Sequence, residues 1–362
     1  MKSNYRKLGD FIEQTEERNK DLAISLSQGI CNLKYFQNPR QVAENSAADK
    51  IVRSGWFAYN RATTRNGDKI SIAYRDKEDC TVSASYLTFK IKDENLLNPY
   101  YLMLWFKRPE FDRYARFKSH GSAHEYFEWE EMCDVMLPVP TIEEQRKIVA
   151  EYQAVERRIE NNRRLIAKLE ETAQTIYRNM FVDNIDPENL PQGWRMGKLK
   201  DIIEISSGKS LTDKEDQQNK DYRFPVAGAS GIIGYSKEYN QNERFLTTGR
   251  VGTIGVVNRY LTPTWTADNV LVAKSDYYEY AYQVLNHVNY EELIGGGVQS
   301  LITQTGLGNV EMPLPPTKLI IDFEKLIEPI ANFLVTLQSE NSFNYNLLSL
   351  LLTKLSKLNL RC

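Results

Sequence analysis

The sequence predicts an α+β protein made of two tandem domains related by a pseudo-two-fold repeat, with a long helix after each. Three observations predict it. Four short segments of the first half recur in the same order in the second. Each β-rich block closes on a proline-containing hinge. Each hinge leads into a long run whose apolar residues step by threes and fours, the signature of a coiled-coil seam.

The repeat organises the chain. KLGDFIE (7–13) returns as KLKDIIE (198–204), and WFAYNRATTRNGDKISIAYR (56–75) is echoed by RFLTTGRVGTIGVVNR (244–259). VSASYLTFK (82–90) aligns with WTADNVLVAK (265–274), and DVMLPVPT (134–141) with NVEMPLPPT (309–317). Each echo alone is weak; four in one order at similar offsets are hard to obtain by chance.

Within the blocks, alternating runs such as ISIAY (70–74) and IGVVN (254–258) predict strands. Gly249, Gly252 and Gly255 predict turns or bulges in the second copy. Each block also carries one helical stretch. The first is 99–117, broken or kinked at Pro109, and the second is 277–288.

The long helices follow. The first seam is Ile148, Tyr152, Val155, Ile159, Asn162, Ile166, Leu169, Ala173, Ile176 and Met180. The second is Ile327, Ile330, Leu334, Leu337, Asn341, Asn344, Leu348, Leu351, Leu355 and Leu358. At about 33 residues and 1.5 Å per residue, each predicts a rod of roughly 50 Å. Asparagine interrupts both seams near the middle, at a cost in stability that fixes register. Paired antiparallel and centre to centre, the helices would bring Asn162 close to Asn341 and Asn344, where one buried amide can satisfy another. Pro329 lacks a backbone donor, so the regular second helix is expected to begin near it or to kink there.

Composition bounds the function. At 362 residues, with 41% hydrophobic and 26% charged, the chain is a packed protein rather than a disordered one. Its net charge of −2 is not the basic balance of a free-standing DNA binder, so positive charge is local or a partner supplies it. Cys31, Cys80, Cys133 and Cys362 are expected to be free thiols. No signal peptide is visible and no apolar run approaches the ~20 residues of a membrane span, so the expected location is the cytoplasm.

At LPQGWRMGKLKDIIEISSGKS (190–210), FPVAGASGIIGYS (224–236), TTGRVGTIG (247–255) and TADNVLVA (266–273), the chain resembles target-recognition domains of type I restriction-modification specificity subunits. The helix start LPVPTIEEQRKIV (137–149) is similar to that family's central helical region. The second helix start, PLPPTKLIIDFEKLI (313–327), departs by lacking the pair seen at Glu144 and Gln145. The resemblance implies target-recognition domains over 1–140 and 184–316, with helical spacers over 141–183 and 317–362 forming an antiparallel coiled coil. It implies that each domain reads half of a split site in double-stranded DNA and that the coil sets the gap. It further implies docking of two methyltransferase subunits, with restriction subunits as further partners.

Candidate contacts follow from how proteins read DNA. Lys and Arg neutralise phosphates, while Arg pairs bidentately with guanine and Asn with adenine. In the first block the loop 60–69 offers Arg61, Thr64, Arg65 and Asn66, and the tip 118–124 offers Lys118, His120, Ser122 and His124. In the second the matching places hold Lys209, Thr248, Arg250, Gln299 and Ser300. The bland alternative for each is a solvated charge on a turn.

Catalytic patterns fail inspection. NPYY (98–101) is similar to an amino-methyltransferase tetrapeptide but lacks its second proline. GRVGTIG has the wrong spacing for a dinucleotide loop, and GASG is not a nucleophile elbow. His120 and His124 lack the HExxH frame of a zinc site. No cofactor, metal or catalytic residue is expected. The competing readings are a coiled-coil scaffold that binds only proteins, and a standalone nuclease.

Overall fold

The computed structural model describes residues 5–39, 46–62, 69–120, 125–294 and 301–355. Contacts divide it into two units, Met1–Asn161 with Glu340–Cys362, and Asn162–Ser339. Each takes half of both long helices.

The first unit runs β1 (Tyr5–Lys7), β2 (Ile12–Thr15), β3 (Gly29–Ile30), β4 (Phe36–Gln37), β5 (Lys50–Val52), β6 (Trp56–Asn60), β7 (Ile72–Tyr74), β8 (Cys80–Val82) and β9 (Tyr86–Ile91). Helices α1 (Pro99–Phe106), α2 (Pro109–Lys118) and α3 (Trp129–Cys133), strand β10 (Met136–Pro138) and the long α4 (Ile142–Phe181) follow. Four strands form an antiparallel sheet in the order β2-β9-β6-β7. Phe57 stacks on Phe89 across it, ring centroids 4.9 Å apart, and both are fully buried against Tyr101, Phe106 and Phe127. Pro109 ends the first helical stretch and starts the second. It has no amide to donate inside a helix but is preorganised for a first turn, as Pro99 is in α1.

The second unit runs β11 (Arg195–Lys198), β12 (Glu204–Ser207), β13 (Phe224–Gly228), β14 (Gly231–Ser236), β15 (Phe245–Gly249), β16 (Val257–Tyr260), β17 (Trp265–Thr266) and β18 (Val270–Lys274). It continues with α5 (Tyr278–His287), α6 (Gln304–Gly308), β19 (Glu311–Leu314) and the long α7 (Thr317–Leu355). Its antiparallel sheet, β12-β18-β15-β16, repeats the first in connectivity and register: Glu13 lies opposite Lys90, and Glu204 opposite Lys274. The outer strand likewise pairs with the strand before the long helix, β1 with β10 and β11 with β19. The units differ beside the main sheet. β5 pairs antiparallel with β8, whereas β13 pairs parallel with β17. The strand expected over 254–258 begins only at Val257, because Gly252 and Gly255 adopt positive φ (76° and 82°) in the preceding turn.

The long helices are continuous over 40 and 39 residues, longer than their seams alone measure. In the first unit Ile148 and Tyr152 meet Leu351 and Leu355, while Arg158 binds Glu340 at 2.7 Å. Numbers rise along α4 as they fall along α7, so the segments are antiparallel. In the second unit Tyr177 and Phe181 pack on Phe323, at 6.1 and 5.3 Å between rings. Every described residue of both seams is buried or half-buried, and Leu358 lies outside the described residues. Asn162, Asn341 and Asn344 are buried, and Nδ2 of Asn344 has no hydrogen-bond partner among the described residues. The second helix does not begin near Pro329; it starts at Thr317 and runs through the proline. Ile320, Phe323 and Ile327, fully buried ahead of it, hold those turns in place despite the lost backbone bond.

The Glu144–Gln145 pair has local work. Thr141 and Glu144 exchange hydrogen bonds as a capping box. The Gln145 side chain is fully buried; it accepts from the Asn98 amide at 2.8 Å and donates to the Leu96 and Pro140 carbonyls. It thereby ties the start of α1 to α4. In the second unit Glu324 of α7 does this from another position, accepting from the Tyr280 amide at the start of α5 at 2.7 Å.

Candidate nucleic-acid interface

Among the described residues, Arg61, Lys118 and His120 gather at one end of the first main sheet, and Lys209, Thr248 and Arg250 at the matching end of the second. In the first unit β6 stops at Asn60, whose side chain accepts from the Ala62 amide at 3.1 Å. The Arg61 carbonyl accepts from the Phe127 amide at 2.8 Å, and Ala62 bridges Tyr126. Tyr126 also bridges His120, with backbone hydrogen bonds of 3.1 and 2.9 Å. Arg61 and Ala62 on one side and His120 on the other, distant in sequence, thus share one strap through Tyr126 and Phe127.

The cations on this strap are held by carboxylates from the segment 125–131. Arg61 places Nη1 3.2 Å from Glu128 and lays its guanidinium over the Tyr126 ring, 4.8 Å from its centre. Lys118 binds Glu131 at 3.1 Å, and that hydrogen bond raises the lysine pKa. His120 is largely exposed, 3.7 Å from Glu131, and Arg116 pairs with Glu125. Thr64, Arg65, Asn66, Ser122 and His124 lie outside the described residues.

The second unit builds the same edge with different chemistry. β15 ends at Gly249, and Arg250 follows it as Arg61 follows β6. The Arg250 carbonyl accepts from the Ile302 amide at 3.0 Å, and Val251 bridges Leu301. The Arg250 amide donates to the Asn269 carbonyl at 2.9 Å. Its guanidinium has no carboxylate among the described residues, and Nε is buried without a partner there, as is Oδ1 of Asn269. Lys209 stands across the 266–269 turn, its amide bound to the Thr266 carbonyl at 2.8 Å and its side chain exposed. Gln299 and Ser300 lie outside the described residues.

Thr248 is corrected. It is 1% exposed, inside the central strand and flanked by β16 and β18, so its hydroxyl has no surface with which to meet DNA. Two glycines let the backbone close the edge. A Cβ on Gly249 would fall 1.9 Å from the Thr253 carbonyl oxygen, and one on Gly208 1.9 Å from that of Ala267.

Sequence reasoning missed Tyr126 and Glu128. The only signal for them was the run EYFEWEE following the basic stretch, which looks like an ordinary solvated acidic face. The other motifs resolve structurally. NPYY is the cap and first turn of α1, Asn98 accepting from the Tyr101 amide and Tyr101 donating to the Pro138 carbonyl. Cys31, Cys80 and Cys133 are unpaired. Among the described residues no cluster could hold a metal ion, and no helix is long and apolar enough to cross a membrane. A groove of about 890 Å³ in the second unit lies at the other end of the sheet, by Glu204 and Lys274, lined by acids and bases in similar number.

Comparison with known proteins gives a consistent picture. Residues 4–171 and 191–323 match the family model described as type I restriction modification DNA specificity domain. The MjaIX specificity subunit of a type I restriction enzyme from Methanocaldococcus jannaschii is 20% identical over 284 residues, 66% of this chain. The match spans 64% of that relative's length. The crystal structure of a type I restriction-modification S subunit from M. genitalium shares the fold, with a TM-score of 0.62 at 16% identity, covering 97% of this chain and 95% of that one.

Proposed function

Because the chain belongs to the type I restriction modification DNA specificity family, we propose that it reads a two-part DNA site for a restriction-modification complex and performs no chemistry itself. The observation that carries this is the duplicated sheet edge. Arg61 and Arg250 leave equivalent strands beside equivalent returning segments, while the side chains around them differ. A duplicated frame with unlike tips suits two readers of unlike half-sites.

Affinity comes from Lys118, Lys209 and their neighbours on phosphates, and specificity from Arg61, Arg250 and the adjoining loop residues on base edges. Those loop residues include Thr64, Arg65, Asn66, Ser122, His124, Gln299 and Ser300, with His120 beside them. Thr248 supports the strand beneath Arg250. The helices α4 and α7 form the antiparallel coiled coil that fixes the gap, with Asn162, Asn341 and Asn344 setting its register. They also dock two methyltransferase subunits, which supply catalysis and, given the chain's net charge of −2, much of the phosphate neutralisation. Restriction subunits join the same complex.

The test is a DNA shift assay over a range of salt, with and without the methyltransferase partner. Salt-dependent binding that sharpens to one split sequence in the complex is the expected result. Binding to protein partners alone would overturn the proposal.

A further inference from the structure

The surroundings of Arg61 differ from those of Arg250 in a way that bears on selectivity. Glu128, the N-cap position of α3, binds Arg61 through Nη1 alone, at 3.2 and 3.4 Å from its two oxygens. The Tyr126 ring supports the guanidinium face. No described residue engages Nε or Nη2 of Arg61, so the donor pair that a guanine edge accepts is left open. In the second unit the N-cap position of α6 holds Thr303, whose hydroxyl accepts from the Gly306 amide at 2.9 Å. Phe127 and Ile302, which precede these two residues, donate to the Arg61 and Arg250 carbonyls, so Glu128 and Thr303 occupy equivalent places.

We propose that Glu128 is a positioning residue for base selection. It holds Arg61 in one pose over Tyr126, with its remaining donors aimed outward, and so sharpens the preference of the first half-site. This rests on the DNA-reading function. A guanidinium fixed before binding loses less side-chain freedom on meeting its base, and a misaligned base cannot recruit it by rotation. The carboxylate also repels phosphate, so it lowers affinity for DNA of any sequence while raising discrimination. A carboxylate that merely competed with DNA would lower affinity and leave discrimination untouched.

The experiment uses the full chain co-expressed with its methyltransferase subunits and a duplex DNA pool randomised in sequence. Arg61→Ala first identifies the half of the motif that belongs to the first unit. Glu128→Ala is then expected to relax that same half about tenfold, leave the other half unchanged, and increase retention of non-specific DNA. Glu128→Gln, which keeps an acceptor for Nη1, recovers most of the preference. An unchanged other half shows that the complex has folded. Glu128→Ala binding with both halves equally sharp would overturn the proposal. If the unmodified complex selects no sequence at all, the DNA-reading function itself fails and this proposal with it.

Discussion

Arg61 and Arg250 occupy the same place in two copies of one sheet: each follows the end of a central strand, and each accepts, on its carbonyl, the amide of the residue returning from the neighbouring loop. The backbone is duplicated while the side chains around each guanidinium have diverged, Glu128 and Tyr126 around one, Asn269 beside the other.

From this pairing, Arg61→Ala and Arg250→Ala should each relax a different half of the recognised motif. A bidentate arginine–guanine contact is worth about 1–3 kcal/mol of discrimination. Sequence preferences of the two variant complexes, measured against one duplex pool, check it; loss in the same half for both would contradict the equivalence.

The gap between the halves should follow the helices. One heptad added to both α4 and α7 lengthens a rod by roughly 10 Å, about three base pairs at 3.4 Å each. Methylation mapping in cells carrying the insertion is expected to show the same half-sites with a wider gap. An unaltered gap would separate the helices from spacing.

Closing the sheet edge depends on Gly249. Its alanine variant must move the Thr253 carbonyl away from a Cβ that would otherwise fall 1.9 Å from it. A cost of about 1–3 kcal/mol is expected, read as a lower melting temperature together with weakened selection by the second half-site.

Lys34 and Asp112 form a buried ion pair, 2.6 Å apart, and Asp112 also accepts from the Ile70 amide just ahead of β7. Asp112→Ala strands the lysine and should cost about 3–5 kcal/mol in denaturant unfolding. The double change Lys34→Met with Asp112→Leu removes both charges and should cost far less than the sum of the single changes.

Glu324 gives a pH-dependent expectation. Burial raises its pKa above the usual 4.5 even though it accepts from the Tyr280 amide. A carboxyl raised in the folded state is a penalty on ionisation, absent below its unfolded value and fully present once pH exceeds the folded value. Glu324→Gln keeps an acceptor without the charge. It should therefore be more stable than the unmodified chain at neutral pH, with the difference vanishing as pH falls below about 4.5. A difference that grew in acid would contradict this sign.

The helical seams were legible because a period of three and four is a local pattern that burial enforces residue by residue, from Ile148 to Met180. The duplicated sheets were legible because the sequence echoes recur in one order, and both copies pair their strands the same way, β2-β9-β6-β7 and β12-β18-β15-β16. Pro329 does not open the helix, because Phe323, buried six residues ahead of it, packs the preceding turns in place. Thr248 misled because it stands just before Arg250 at the place matching the first block's loop, yet it is buried in a central strand. Glu128 escaped notice because its partner lies 67 residues away, and nothing near it in the chain marks that contact.

The most direct measurement is the methylated-base pattern of DNA from cells expressing this chain with its methyltransferase. Two dissimilar short sequences at a constant interval are predicted, the interval indifferent to its own bases. One uninterrupted motif, or methylation at scattered sites, would contradict the account.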